Sequence, residues 1–411
     1  MNIKIINRDY AYFIYGQMIS ELGNTIHRVA MIWTVYKIIG SGSKTGLLYG
    51  LVIIPGIILM PFAGGIVDSF DRKKLLILCD IASGINILIL TILFWRNNLG
   101  FFSLLVVLSI QSVVFSLGST TRSSLIQNIV KKNDYIEANS IHIFVKNFTQ
   151  IALPSIGGLL IARFNPGICF IINSLTFFIA TLFTFEIQNY KFIKKLNQSF
   201  IDKIKDGFLY VLDRRYYLNF IFIFMILNFL IAPQEMLVRI SLDKLEIGVE
   251  YYGMFETALA LGSLVISFII SKNKKWKEYS NTSREKKMLC YGIFLIAISF
   301  LQFSFTSSTT LLLLGGFING IGLTTLNVAF FSYLQRSINK DFYGRVISII
   351  FFLNEILRPL SYSFFGYLTD QISMSLIFII IFIVLCILFA LFKNFVQLKN
   401  LENTSLEDID H

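Results

Sequence analysis

The chain has 411 residues, of which 55% are apolar and only 15% charged, and its mean hydropathy is +0.69. Soluble domains carry about 25% charged residues, so this composition excludes a soluble globular protein and leaves no room for a separate catalytic or nucleotide-binding domain. A formal charge of +11 would point to nucleic acid in a soluble chain. Here the basic residues stand at the ends of apolar stretches, so the expected partner is a lipid bilayer, no nucleic acid is expected, and the surplus charge sets topology.

Stretches of about 20 apolar residues, the length that crosses a hydrocarbon core of roughly 30 Å, recur twelve times: 10–39, 45–67, 75–95, 101–127, 137–162, 166–187, 216–240, 251–271, 288–306, 309–335, 343–368 and 373–396. Span one is long and interrupted by Gln17, Glu21 and Asn24, which reads as a retained span and not a cleaved leader. The following Gly40-Ser-Gly-Ser-Lys-Thr-Gly46 has the outline of a phosphate loop but lacks the glycine directly before its lysine and follows no strand, so no nucleotide is expected there. Midway, residues 188–215 form the longest connection; Ile201, Ile204, Phe208, Val211 and Leu212 repeat at helical spacing opposite Asp202, Lys203, Lys205 and Asp206, which suits a helix lying on the inner membrane surface. That linker separates an N-terminal six-span bundle, 1–187, from a C-terminal one, 216–398, and an acidic tail occupies 399–411. With both termini inside, the internal loops and the span ends beside them carry 26 of the 36 Lys and Arg, and the external loops with their adjoining span ends six.

The two halves carry a trace of duplication. Gly118-Ser-Thr-Thr121 in span four returns as Gly322-Leu-Thr-Thr325 in span ten, and Pro154 in span five as Pro359 in span eleven, at nearly one offset close to half the chain. Many secondary transporters are built from such repeats. The four cysteines lie one to a segment and the three histidines have no metal spacing, so neither a disulfide framework, a metal site nor a catalytic residue is expected.

Polar residues inside a bilayer are costly and normally face a bundle interior or a water-filled cavity. In span one, Gln17, Glu21, Asn24 and Arg28 are spaced by four, three and four, which puts them on one helical face. Gln111, Gly118 and Arg122 make a similar stripe in span four, Asn228, Glu235 and Arg239 in span seven, and Asn319 with Asn327 in span ten. Lys146 lies in span five, Glu256 in span eight, and Glu355 with Arg358 in span eleven, three apart and able to pair. Taken singly, each fits a buried structural pair as well as a ligand contact; as a set they trace a polar path through an apolar body. The carboxylates Glu21, Glu235, Glu256 and Glu355 are the candidates for carrying a proton, with Glu21 first because about eleven residues at 1.5 Å each place it roughly 16 Å from the inner end.

After span two stands Gly64-Gly-Ile-Val-Asp68-Ser-Phe-Asp71-Arg72-Lys73-Lys74. It resembles the loop signature of the major facilitator superfamily, matched at Gly64, Asp68, Arg72 and Lys73, with Ser69 and Asp71 departing from it. Ile19-Ser-Glu-Leu-Gly-Asn24, the stretch Pro55 to Asp80, Ala138-Asn139, Gly344-Arg345-Val346 and Pro359-Leu360 are similar to the macrolide-efflux and siderophore-export branch of drug:proton antiporters. Pro154-Ser-Ile-Gly157-Gly158 in span five is similar to the antiporter motif of that branch, or serves small-residue helix packing. The resemblance implies an all-α membrane protein of twelve transmembrane helices in two pseudo-symmetric six-helix bundles, with spans one, four, seven and ten lining a central cavity. It also implies a monomer in the bacterial cell membrane that exports a small amphipathic compound, driven by a proton gradient with no cofactor. Asp68 would meet the start of span eleven, at Gly344 and Arg345, when the inner side is closed. A nutrient uptake permease and a membrane sensor or immunity protein are the alternatives.

Overall fold

The computed structural model describes residues 6–131, 134–188, 215–272, 282–305, 308–338 and 340–395; the side chains at 135–137, 139–140, 143, 215–219, 282–283, 340–345, 348 and 394–395 fall outside the description. The amphipathic linker helix and the acidic tail expected from the sequence lie outside the described residues.

The described residues form fourteen α-helices: α1 (Arg8–Ile39), α2 (Gly42–Ser69), α3 (Arg72–Trp95), α4 (Phe101–Ile129), α5 (Tyr135–Arg163), α6 (Pro166–Phe185), α7 (Arg215–Ile231), α8 (Gln234–Lys244), α9 (Val249–Lys272), α10 (Thr282–Phe303), α11 (Thr309–Ser337), α12 (Lys340–Ile356), α13 (Arg358–Gln371) and α14 (Met374–Phe395). These correspond to twelve spans, because spans seven and eleven, expected to be continuous, are each broken in two. The first break falls at Ala232 and Pro233, between α7 and α8, and the second at Leu357, between α12 and α13. Proline removes a backbone donor and clashes with the preceding turn, yet fits the first turn of a new helix; Pro233 precedes α8 and Pro359 is the second residue of α13. Pro55 and Pro61 in α2 and Pro154 in α5 are carried without a break. Among the described residues ten helical segments are long and apolar enough to cross a membrane. The two spans that fall short are α1, with its polar stripe, and the interrupted α12–α13.

Gly40, at φ 67°, ends α1 in the left-handed conformation and Ser41 opens α2, accepting from the Lys44 amide. The glycine-rich stretch 40–46 is thus a tight turn at Gly40 and Ser41 followed by the first turn of α2.

The chain divides into two compact units that do not simply follow chain order. Unit one comprises 1–200, 235–257 and 359–371; unit two comprises 201–234, 258–358 and 372–411. In unit one, α1 packs on α5 and α6, α2 on α4, and α3 on α4 and α6. Tyr10, Phe13, Leu76, Leu125, Ile126, Ile129 and Ala138 form a buried cluster at one end, where the Tyr10 hydroxyl donates to the Ala138 carbonyl at 2.7 Å. Unit one also contains α8, the first part of α9 and α13. In unit two, α10 lies along α11 and α14, and the phenylalanines of the chain fill the joints. Phe220 and Phe224 of α7 stack with Phe330 and Tyr333 of α11, the Phe224–Phe330 centroids 4.1 Å apart. Phe300 and Phe303 of α10 meet Phe378 of α14. Gly322 lets α10 and α11 approach closely: a Cβ there would stand 2.9 Å from Ile296 Cγ1 and 3.0 Å from the Ile296 amide nitrogen.

Candidate functional site

The stripe on α1 leads to a charged cluster in unit one. Arg28 forms ion pairs with Glu235 of α8 (Nη1–Oε1 2.7 Å) and with Glu256 of α9 (Nη2–Oε2 3.0 Å). The Tyr252 hydroxyl, one turn before Glu256, donates to Glu256 Oε1 at 3.2 Å. The Glu256 side chain is only 5% exposed, whereas Arg28 and Glu235 are 37% and 39% exposed. Glu256 is therefore the enclosed end of the cluster and Glu235 the open end. One guanidinium faces two carboxylates, so the group carries one negative charge when both are ionised, and uptake of a single proton makes it neutral. A lone buried charge is costly in a low-dielectric interior, which gives this cluster the chemistry of a proton acceptor.

In the sequence Arg28, Glu235 and Glu256 fall in three different spans, and their spacing gives no sign that one arginine joins both glutamates. Glu21 is half-buried on the same face of α1, and its carboxylate makes no ion pair or hydrogen bond with the described residues. Gln17, one turn from Glu21, lines a small cleft with Phe13, Gly16, Ser20, Leu76, Asp80, Arg122 and Thr184; its Oε1 is buried without a hydrogen-bond partner. Asn24 is half-buried.

The cleft contains the residue that the sequence reading missed. Asp80 of α3 is 3% exposed at its side chain and pairs with Arg122 Nη2 of α4 at 2.5 Å. The signal was present, because Asp80 falls inside the third apolar span as Arg122 falls inside the fourth. A buried polar ladder continues along the same two helices: Gln111 Nε2 donates to Ser83 Oγ, and Asn86 Nδ2 donates to Gln111 Oε1 and to the Val107 carbonyl. Unit two has a comparable pair, Glu285 of α10 with Arg336 of α11. Gly118 faces Cys79 and the Arg122 guanidinium.

Other sequence candidates are committed to packing. Arg239 is 1% exposed; its guanidinium lies 3.5 Å from the Trp33 ring, donates to the Trp33 carbonyl at 3.0 Å and pairs with Asp243 at 3.0 Å, clamping α8 to α1. Asn319 is fully buried and donates to Ser299; Asn228 donates to the Asn354 carbonyl. Glu355 and Arg358 pair at 2.7 Å across the break between α12 and α13. Asn327 and Lys146 are exposed.

The Pro154–Gly158 stretch of α5 sits where α5 crosses α9 and α1. A Cβ on Gly158 would meet the Val249 carbonyl at 3.1 Å and Glu250 Cα at 3.2 Å; one on Gly253 would meet the Pro154 carbonyl at 2.5 Å. Gly157 faces Ile26 and Val29 of α1. The Ser155 and Thr257 hydroxyls share a hydrogen bond of 2.8 Å. This crossing joins directly to the charged cluster, since Arg28 lies between Ile26 and Val29 and Glu256 precedes Thr257.

The loop between α2 and α3 is held within unit one. Arg72 pairs with Asp68 at 2.8 Å and bonds to the Asn128 side chain at the end of α4. Lys73 Nζ donates to the Phe185 and Ile187 carbonyls at 2.9 and 2.7 Å, capping the C-terminus of α6. The Gly64 position has open space beside it. The side chains at Gly344 and Arg345, expected opposite Asp68, lie outside the description.

Such an architecture, helical throughout the described residues with polar side chains set inside apolar spans, is that of a multi-pass membrane protein. The family model "Major Facilitator Superfamily" matches residues 13–362, and the chain belongs to that family of membrane transporters. Among the relatives it matches, the staphyloferrin A transporter of Staphylococcus aureus is 22% identical over 82% of this chain and 84% of its own length. Macrolide efflux protein A of Streptococcus pyogenes is 21% identical over 88% of this chain and 89% of its own. The crystal structure of the nucleoside transporter NupG shares the fold, with a TM-score of 0.73 at 15% identity, covering 95% of this chain and 98% of that one.

Proposed function

We propose that this transporter exports a small amphipathic compound, of the antibiotic or siderophore class, in exchange for protons, and that the Arg28–Glu235–Glu256 cluster is where proton uptake is coupled to transport. The single observation that carries this reading is the enclosed Glu256 carboxylate, tied to an arginine that it shares with a second, open carboxylate. Protonation of Glu256 removes one of Arg28's two partners and frees the guanidinium to change its contacts. That converts a proton into a change in how α1, α8 and α9 are held together, as alternating access requires. Glu21, with no partner to release among the described residues, is the weaker choice, and Glu355 pairs with Arg358.

The names of the staphyloferrin A and macrolide efflux relatives support the class of cargo, and the word efflux in the second supports the outward direction; fold alone supplies neither. The reading includes a monomer in the bacterial cell membrane with both termini cytoplasmic and no cofactor beyond the proton gradient. The test is accumulation in inverted membrane vesicles of a panel of macrolides, cationic dyes and siderophores, with and without an imposed proton gradient. Gradient-dependent accumulation of at least one compound is expected. Accumulation only in right-side-out vesicles would replace export by uptake, and failure of every compound in both orientations would reject the reading.

A further inference from the structure

On unit one, α13 is fastened to the start of α2 by a carboxylate. Asp370, one residue before the end of α13, accepts four hydrogen bonds from the first turn of α2: from the Gly42 amide to Oδ1 at 2.9 Å, and to Oδ2 from the Ser41 hydroxyl at 2.9 Å, the Ser43 amide at 2.9 Å and the Ser43 hydroxyl at 2.6 Å. The carboxylate thus satisfies amides that a helix N-terminus leaves without intrahelical partners, where the macrodipole also favours negative charge. Burial opposes the charge, but these hydrogen bonds, led by the two from Ser43, outweigh it and hold the Asp370 carboxyl at about 2.

Behind this contact the two helices fit backbone to backbone. Gly42, Gly46 and Gly50 recur every four residues on one face of α2. A Cβ on Gly46 would stand 2.2 Å from the Tyr362 carbonyl oxygen and 2.8 Å from Gly366 Cα, and one on Gly50 would stand 2.6 Å from the Pro359 carbonyl oxygen. Reciprocally, a Cβ on Gly366 would meet the Gly42 carbonyl at 2.6 Å. Lys244 Nζ adds a bond from α8 to the Thr369 carbonyl at 2.5 Å. A smooth glycine seam has no side chains to disentangle, and its hydrogen bonds lie at an exposed rim where water replaces them when they part. Such a joint opens and closes without repacking a core.

The seam stands at the opposite end of α2 from the Asp68 loop, roughly 39 Å away at 1.5 Å per residue. Each end of α2 therefore has its aspartate: Asp68 near the α2 C-terminus, paired with Arg72 of its own loop, and Asp370 brought by α13 to the α2 N-terminus. We propose that Asp370 is a releasable latch, which when seated on the first turn of α2 holds α2 and α13 together on this face and which must let go once in every transport cycle. The second clause rests on the alternating-access reading above; the first does not.

The test uses the full-length protein in lipid nanodiscs, with the four native cysteines replaced and spin labels at positions 44 and 371, which are exposed and outside the hydrogen-bonded set. Asp370→Asn is isosteric, but both carboxylate oxygens accept, so an amide must turn an N–H₂ group toward at least one donor. The single change Ser43→Ala removes a hydroxyl donor from the other side and leaves Ser41, which opens α2, in place. Both variants are expected to raise the separated population about tenfold over wild type with little change in melting temperature. Distance distributions matching wild type in both variants would overturn the latch. A lowered melting temperature with unchanged distances would make Asp370 a structural cap only, and would overturn it equally. No substrate is needed, so a shifted distribution beside a failed vesicle assay would fault the transport reading and leave the seam latch standing.

Discussion

Removing Arg28 is expected to destabilise the protein, and removing the charge of Glu256 as well is expected to restore most of what was lost. Without Arg28, Glu235 and Glu256 lose their ion-pair partner among the described residues, and Glu256 is 5% exposed. Breaking a buried pair by deleting one partner costs about 3–5 kcal/mol, mostly as the penalty of the orphaned charge. The two limbs are not equal. At 3.0 Å and an effective dielectric of about 20, the Arg28–Glu256 attraction is of the order of 5 kcal/mol before desolvation is subtracted. The Glu235 limb joins two groups more than one-third exposed, so water screens it to about 0–1 kcal/mol. Arg28→Met should therefore cost about 3 kcal/mol, Glu256→Gln alone within about 1 kcal/mol, and the double variant clearly less than Arg28→Met. Thermal unfolding of the purified variants in one detergent, followed by loss of the monodisperse peak on size exclusion, measures all three. Additive losses would refute the reasoning, because they would mean that Arg28 and Glu256 stabilise the fold independently.

The Asp80–Arg122 pair obeys the same rule: Arg122→Leu should destabilise by about 3–5 kcal/mol, and Asp80→Asn in addition should recover much of it, read in the same melting assay. Lys73→Ala, which uncaps the C-terminus of α6, should cost only about 0.3–1 kcal/mol; a collapse of the fold would show that Lys73 does more than bind those carbonyls. Phe330→Ala empties the joint between α7 and α11 and should cost about 3–5 kcal/mol. Asp370 has a lowered pKa, so its contribution is complete above the unfolded value of about 3.9 and is lost only as pH falls through the folded value. The 44–371 distance should therefore stay constant from about pH 8 to about pH 5, and opening over that interval would contradict the assignment. For topology, a cysteine at position 198 should resist labelling from outside intact cells; labelling without permeabilisation would invert the orientation.

Much of the fold was legible because apolar length is a direct consequence of bilayer thickness. The polar stripe of α1 was equally legible, since a spacing of four, three and four leaves no choice of face, and its last member is the centre of the charged cluster. What the sequence left open was partnership. Arg28 and Glu256 lie 228 positions apart in the sequence, and no periodicity connects them. Asn228 shares a stripe with Glu235 and Arg239 on paper, yet the break at Ala232 and Pro233 leaves Asn228 on α7 and the other two on α8, where Arg239 packs on Trp33 and Glu235 meets Arg28. Asp80 lies alone in the third apolar span, and nothing in its spacing shows that it pairs with Arg122 of the next one. Asp370 had no sequence signature at all: its role depends on a glycine face 320 to 328 positions away that reads, in the sequence, as a phosphate-loop look-alike.

The central claim, that Glu256 exchanges the proton that drives export, is met most directly by gradient-driven accumulation in inverted vesicles, measured side by side for wild type and Glu256→Gln at matched expression, using whichever compound the panel identifies. The account predicts that wild type concentrates the compound when the gradient is imposed, while the Gln variant only equilibrates it and still performs substrate–substrate exchange. Accumulation by Glu256→Gln at the wild-type level, collapsing with the gradient as wild type does, would contradict it.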